Sequence, residues 1–362
     1  MENKRNLKQF FRLLGQSVLF WTLALFFYAI FRFYGIDAEI ASITEKNVKP
    51  QNFKVPFAIT SFTGTILGLF YGLIDFIHQK FLSKRFSLGI GLLINTLLHL
   101  ACTIAILTIV LTFFSNFLPL NFSLEMGWWL EDKRFWAIMW YIVLSSLVFS
   151  FIKIAVERFG AGVFLKMILG KYKNPQEEER IFMFLDLKNS TTIAENLGHH
   201  RYSQFIQDAF YDLNEVVLNY NAEIYQYVGD EVVMSWPYQK GLANNNCIGV
   251  FFAFETQREA RRDYYLEKYG FFPEFKAGLH GGSLMAAEVG FVKKELAYHG
   301  DVINTSARIQ AECNKYNVTM LISEQLLKDL PKEAQSNSEF LGSVLLKGKR
   351  KEVKIHSVTS DT

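Results

Sequence analysis

Four long stretches without a formal charge constrain this chain more than any other feature. Between Arg12 and Arg32 lie 19 uncharged residues, and between Lys54 and Asp75 lie 20 more. A third stretch runs from Phe86 to Leu124, most apolar near Leu88 to Phe114, and a fourth runs from Phe135 to Ile152. At about 1.5 Å of rise per helical residue, each is long enough to cross a hydrocarbon core of about 30 Å. The pattern predicts four transmembrane helices, at about 13–31, 55–77, 88–114 and 135–154. The opening MENKRNLKQFFR is basic like the head of a signal peptide, but no small-residue cleavage site follows it. With three further apolar stretches behind it, it reads as a retained anchor.

The connecting segments alternate in charge. Lys4, Arg5, Lys8 and Arg12 precede the first stretch, and Lys80, Lys84 and Arg85 lie between the second and third. Asp37, Glu39 and Glu45 offset the lysines of the first loop, and the third loop, around Trp128, Trp129, Glu131 and Asp132, has no positive excess. Positive segments stay inside, so both termini are expected in the cytoplasm, with the chain an integral, multi-pass protein of a lipid bilayer. Polar Asp75, His78, Asn95 and His99 fall in or near the spans. Interhelical hydrogen bonding is the expected role of Asn95 and His99, with Asp75 and His78 near an interface; an ion or ligand site is the alternative.

Half of the 362 residues are hydrophobic, including 35 Phe, and most acidic and lysine clusters lie beyond residue 157. The expected organisation is a four-helix membrane domain over 1–157, a linker over 158–180 and a soluble domain over 181–358. Val163, Met167 and Ile168, with Phe164 beside them, give the linker one amphipathic turn; it either pairs with a twin helix or lies passively at the interface. A net charge of +3 without a dense basic stripe excludes a nucleic-acid-binding surface. Cys102, Cys247 and Cys313 lack paired spacing and read as ordinary thiols.

In the soluble part, IFMFLDL (181–187) is a strand apolar on both faces that delivers a carboxylate, Asp186, to its end. Asn189, Ser190 and Thr191 follow, and Thr192 with Glu195 has the spacing of a capping box, so a helix is expected here with free N–H groups able to hold a phosphate. EIYQYVGDEVVMSW reads as two strands joined at Gly229 and Asp230. If the hairpin packs beside the first strand, Asp186 and Asp230 approach each other, and such a pair calls for cations between them. In AYHGDVINTSARIQ, Asn304 and Arg308 stand one helical turn apart and share a face suited to one phosphate. Lys347 and Lys349 flank Gly348 near the end as a phosphate clamp.

Together these motifs resemble the class III adenylyl and guanylyl cyclase family over residues 181 to about 358. Asp186 and Asp230 stand 44 positions apart, as that pattern expects, followed by the Val302–Arg308 segment and Lys347. The resemblance implies an α/β (α+β), ferredoxin-like catalytic domain behind the all-α four-helix part, working as a head-to-tail homodimer. Two Mg2+ or Mn2+ ions per site would be held by Asp186 and Asp230 of one copy. Gln226, Ala297, Asn304, Arg308 and Lys347 would come from the other, with Asn304 on the ribose, Arg308 on the α-phosphate and Lys347 on the terminal phosphates.

The implied reaction converts a nucleoside triphosphate, ATP favoured, to a 3′,5′-cyclic nucleotide and pyrophosphate, at a bacterial plasma membrane. The base-reading positions depart from the common pairs: Gln226 accommodates either purine and Ala297 offers no hydrogen bond. Ser283 stands where many relatives carry a phosphate-binding Arg. A weakly catalytic nucleotide receptor, or a cyclase of GTP or a pyrimidine nucleotide, is the alternative.

Overall fold

The computed structural model describes residues 2–32, 54–78, 88–115, 133–159, 163–345 and 352–359. The chain divides into two compact units, 1–155 and 156–362.

The first unit is built from helices α1 (Glu2–Phe31), α2 (Lys54–Ile77), α3 (Leu88–Ser115) and α4 (Lys133–Phe159), the last of which runs on into the second unit. Each contains a segment long and apolar enough to cross a membrane: Leu13–Phe31, Phe57–Ile77, Gly89–Val110 and Phe135–Val156. Lipid-like surroundings give helices no hydrophobic drive to associate, so close backbone approach and polar contacts must hold them. Both are present. Gly64, Gly68 and Gly72 form a stripe at every fourth residue of α2, and α1 lies directly on it. A Cβ on Gly64 would stand 2.6 Å from the Trp21 carbonyl oxygen, and one on Gly68 would stand 2.5 Å from Val18 Cα.

The polar contacts centre on Asp75, which is only 4% exposed. Asn95 Nδ2 donates to its Oδ1 at 2.8 Å, Lys153 Nζ lies 3.2 Å from Oδ2, and His99 Nε2 lies 3.5 Å from Oδ1. One carboxylate therefore ties α2 to α3 and α4, with Asn95 making the interhelical hydrogen bond expected of it and the His99 ring beside the carboxylate without such a bond. Tyr71 seals the cluster, its ring stacked 4.0 Å from that of His99.

The second unit begins with a short helix, α5 (Val163–Ile168), and an eight-stranded mixed sheet follows. Its strands are β1 (Gln176–Leu187), β2 (Glu223–Val228), β3 (Glu231–Pro237), β4 (Phe275–Val289), β5 (Glu295–His299), β6 (Met320–Ser323), β7 (Ser338–Val344) and β8 (Val353–Val358). The order is β2-β3-β1-β4-β6-β8-β7, with β5 paired to β4; β4 and β6 are parallel and the other pairs antiparallel.

Strand β1 lies centrally and starts at Gln176, ahead of the apolar run that marks it in the sequence. Both of its faces are covered, as its continuous apolar run requires. Ile181, Met183, Leu185 and Leu187 enter the main core with helices α6 (Ser190–Val217), α7 (Asn246–Glu259) and α8 (Arg262–Tyr269). Phe182 and Phe184 face the other way, into a second cluster with Leu284, Tyr298, Val302 and Tyr172. Helix α9 (Asp301–Tyr316) packs across β4 on this second face, so closely that a Cβ on Gly278 would stand 2.2 Å from the Gln310 backbone nitrogen. Cys247 and Cys313 are buried free thiols, and Cys102 is half-buried.

Gly68→Val is expected to force α1 and α2 apart and cost about 1–3 kcal/mol, read as a lower thermal midpoint of the detergent-solubilised protein. An unchanged midpoint would mean that the two helices do not pack as closely as described.

Candidate active site

The site begins with strand register. Asp186, next to the last residue of β1, is paired with Glu231 of β3 on one side and Lys276 of β4 on the other. In a pleated sheet, residues in register point to the same face, so three charged side chains form a row across three strands. Asp230 precedes Glu231 in the two-residue β2–β3 turn. Gly229, with φ +62, supplies the left-handed backbone that a mirror-image hairpin turn needs. The hairpin expected at Gly229–Asp230 therefore forms, and it lies beside β1.

Electrostatics report how closely the acids stand. The Glu231 carboxyl is pushed above its ordinary range by burial and then by the charges of Asp186 and Asp230, with Lys276 opposing. Tyr202, on α6, is pushed up to about 12 by burial, then by the charge of Asp230 and a hydrogen bond to it; Asp186 adds to the push and a bond to Ser190 opposes it. Asp186, Asp230 and the start of α6 thus meet in one neighbourhood. Lys276 Nζ lies 3.2 Å from Asp186 Oδ2, Gln310 Nε2 donates to the same oxygen at 3.1 Å, and Lys276 also reaches Asn314 Oδ1 at 3.3 Å.

Among the described residues, no three His, Cys, Asp or Glu side chains are grouped to hold a metal ion unaided. The donors nevertheless fit a hard divalent cation. Mg2+ sites commonly use one or two carboxylates and complete their shell with substrate phosphates and water. The Lys276 ammonium on Asp186 already occupies a position that favours positive charge.

Helix α6 starts at Ser190 rather than at the expected Thr192–Glu195 capping box. Asn189 precedes it with φ 54, a left-handed conformation that Asn tolerates, and no side chain caps the end. Thr192 already lies inside the helix, its carbonyl accepting from Asn196 Nδ2 at 2.7 Å. Asn189 and Thr191 are exposed and Ser190 is half-buried at this open end.

Helix α9 presents two faces. Gln310 is buried against Asp186. Arg308 lies about 200° around the helix from it, with Asn304 one turn earlier on the same outward stripe. Asn304 is exposed, and half-buried Arg308 makes no hydrogen bond or ion pair with a described residue. Gln226 is exposed on β2 and Ala297 half-buried on β5; Ser283 is exposed on β4. Lys347 and Lys349 lie outside the described residues.

Within one chain, then, Asp186, Asp230 and Ser190 come together, while Asn304 and Arg308 turn away from them. Sequence reasoning missed Lys276, Gln310, Tyr202 and Glu231. Only Glu231, adjacent to Asp230, carried a local signal.

The profile of the adenylate and guanylate cyclase catalytic domain matches residues 173–360, more than half of the chain. The chain belongs to that family. It is 35% identical over 223 residues to adenylate cyclase 2 of Rhizobium meliloti, a match covering 62% of this chain and 61% of that protein. A second similarity, 26% over 190 residues, is to adenylate cyclase 1 of the same organism, of which it covers 27%. The chain thus spans about three-fifths or less of these relatives. The fold is shared with a bacterial light-regulated adenylyl cyclase, at a TM-score of 0.53 and 18% identity over 63% of this chain and 66% of that one.

In metal-free protein, Lys276→Met leaves the acidic row without its cation and is expected to cost roughly 3 kcal/mol in alkaline buffer. A carboxyl whose pKa is raised by folding binds its proton more tightly in the folded state, so acidification through that pKa restores stability. The loss should therefore shrink toward mildly acidic pH, as followed by thermal melts in chelator. A loss independent of pH would contradict the charge assignment.

Proposed function

We propose that the chain is a membrane-bound nucleotidyl cyclase that converts ATP to 3′,5′-cyclic AMP and pyrophosphate at sites shared between two copies of itself. The observation that carries this reading is the division of α9. Its inner face anchors Asp186 through Gln310, while its outer face offers an exposed amide and a guanidinium that makes no hydrogen bond or ion pair among the described residues. Each chain therefore contributes one half of a phosphoryl-transfer site at each of two places. In a homodimer, Asp186 and Asp230 of one copy face Asn304, Arg308, Gln226, Ala297 and Lys347 of the other.

Asp186 and Asp230 would hold two divalent ions, Mg2+ or Mn2+, whose bound charge would lower the pKa of the ribose 3′-hydroxyl and offset that of the polyphosphate. Asn304 orients the ribose. Arg308 donates to the α-phosphate oxygens, whose charge grows as the 3′ oxygen bonds to phosphorus and the bond to pyrophosphate breaks. Lys347 and the N–H groups at Asn189, Ser190 and Thr191 grip the polyphosphate, and the hydroxyl proton passes to water.

ATP is favoured because a 35%-identical relative is an adenylate cyclase, and Gln226, which can both donate and accept, accommodates adenine without excluding guanine. Helices α1–α4 anchor the protein in a plasma membrane with both termini in the cytoplasm. Residues 1–157 form the membrane domain, 158–180 the connector, whose last residues from Gln176 already belong to strand β1, and 181–358 the catalytic domain.

Membranes containing the full chain, incubated with Mn2+ and each nucleoside triphosphate in turn, are expected to yield cyclic AMP from ATP. Cyclic GMP or a cyclic pyrimidine nucleotide instead would reassign the base, and no cyclic product from any substrate would leave only a nucleotide-binding receptor.

Asp186→Ala and Arg308→Ala should each lose on the order of 100-fold or more in rate yet recover partial activity when co-expressed. One of the two sites in the mixed dimer then carries neither change. Assembled mixed dimers without activity would sink the shared-site arrangement.

A further inference from the structure

Gln226 and Ala297, read above as the base-reading positions, sit on strands that do not pair with each other: β2 pairs with β3, and β5 with β4. Something other than a hydrogen-bond ladder must fix the gap between them. The residue beside each position supplies it. Tyr225, at a bulge in β2, and Tyr298 of β5 meet edge to face at 5.1 Å, and Phe182 of β1 closes the box at 6.2 Å from Tyr225 and 5.4 Å from Tyr298.

Beneath the box lies Arg180, 2% exposed, its guanidinium 4.9 Å from the Tyr298 ring. It donates to Glu223 at the start of β2, to Ser235 Oγ of β3 at 2.9 Å, and to Glu178 Oε2 at 3.3 Å. The Arg180 Nε is buried without a hydrogen-bond partner among the described residues. A buried charge that is incompletely satisfied is a poor stabiliser compared with an apolar residue of similar volume. Its value here is geometric, because one planar cation holds β1, β2, β3 and β5 at set distances.

The connector reaches the same group. Tyr172, 1% exposed, donates from Oη to Glu178 Oε1 at 2.9 Å, Lys171 Nζ lies 2.8 Å from that oxygen, and the Tyr172 carbonyl accepts from Glu288 of β4 at 2.9 Å. Tyr172 also packs in the apolar cluster that contains Phe182, Tyr298 and Val302.

We propose that Arg180 is a positioning residue for base selection and that Tyr172, acting through Glu178, couples the connector to it. The segment between α5 and β1 then sets the width of the cleft that receives the purine. This rests on the reading of Gln226 and Ala297 as base-facing.

Full-length protein in lipid nanodiscs tests it through Tyr172→Phe, which removes one hydroxyl, and Tyr298→Leu, which removes the ring. Amide exchange over 295–299 should rise about threefold or more in both, with 247–259 unchanged. The KM for ATP should rise roughly three- to tenfold with kcat within about twofold, and preference for ATP over GTP should fall. Arg180→Lys should keep more of the preference than the paired change Arg180→Met with Glu223→Gln, which leaves no unpaired acid at that position.

Folded variants with wild-type exchange over 295–299 would overturn the coupling, as would an unchanged KM in Tyr298→Leu. A wild-type protein that cyclises no nucleotide would remove the functional reading, while the exchange measurement would still decide whether the connector and β5 are linked.

Discussion

Acid crowded at the end of an apolar strand is the constraint around which the catalytic unit is arranged. Asp186, Asp230 and Glu231 are brought together by β1 and the adjoining hairpin, and burial, with the charges of the two aspartates added to it, raises the Glu231 carboxyl above its ordinary range. Such an arrangement survives folding only if positive charge and donors meet it. Lys276, one strand over, supplies the charge, and Gln310 from α9 supplies a donor. The same pressure that makes the group costly without a cation makes it receptive to a divalent ion and its phosphate ligands.

The helix that helps to hold this acid also carries the residues assigned to the other half of the chemistry. A helix has room for both because its residues fan out by about 100° each. Positions facing the sheet at Gln310 leave Asn304 and Arg308 facing out. The pair cannot turn to its own Asp186 without withdrawing Gln310 from its place against Gly278, where the helix backbone approaches too closely for any side chain larger than hydrogen. The close packing of α9 on β4 thus supports the proposed site shared with a second copy.

Much of this was legible in sequence because it is local. Uncharged runs report membrane-length helices, a doubly apolar run reports a central strand, and a Gly-Asp turn between alternating residues reports a hairpin. Asn304 and Arg308 needed only the helical period. What escaped depends on register and on packing between distant segments. Lys276 joins Asp186 through cross-strand pairing, Gln310 meets it by helical phase across 124 residues, and Tyr202 arrives from the far side of a kink at Gly198. The helix start was misplaced for a different reason. A capping box is a pattern of side chains, but Asn189 ends the preceding turn through a left-handed backbone, which such a pattern does not encode.

The connector shows the same limit from the opposite direction. Its composition reads as a linker with one amphipathic turn, yet Tyr172 is among the most buried aromatic residues of the catalytic unit. Composition averages over a segment, whereas burial is decided residue by residue by what the sheet face leaves open. On the face opposite the main core Tyr172 packs in one apolar cluster with Phe182, Tyr298 and Val302. That ring's hydroxyl then finds an acid, Glu178, already engaged with Arg180. A spacer held at one buried point can transmit displacement where a freely solvated one would absorb it. Tyr172 stands between α5 and β1, so the segment that leads into the acid-bearing strand is fastened to the sheet at that point.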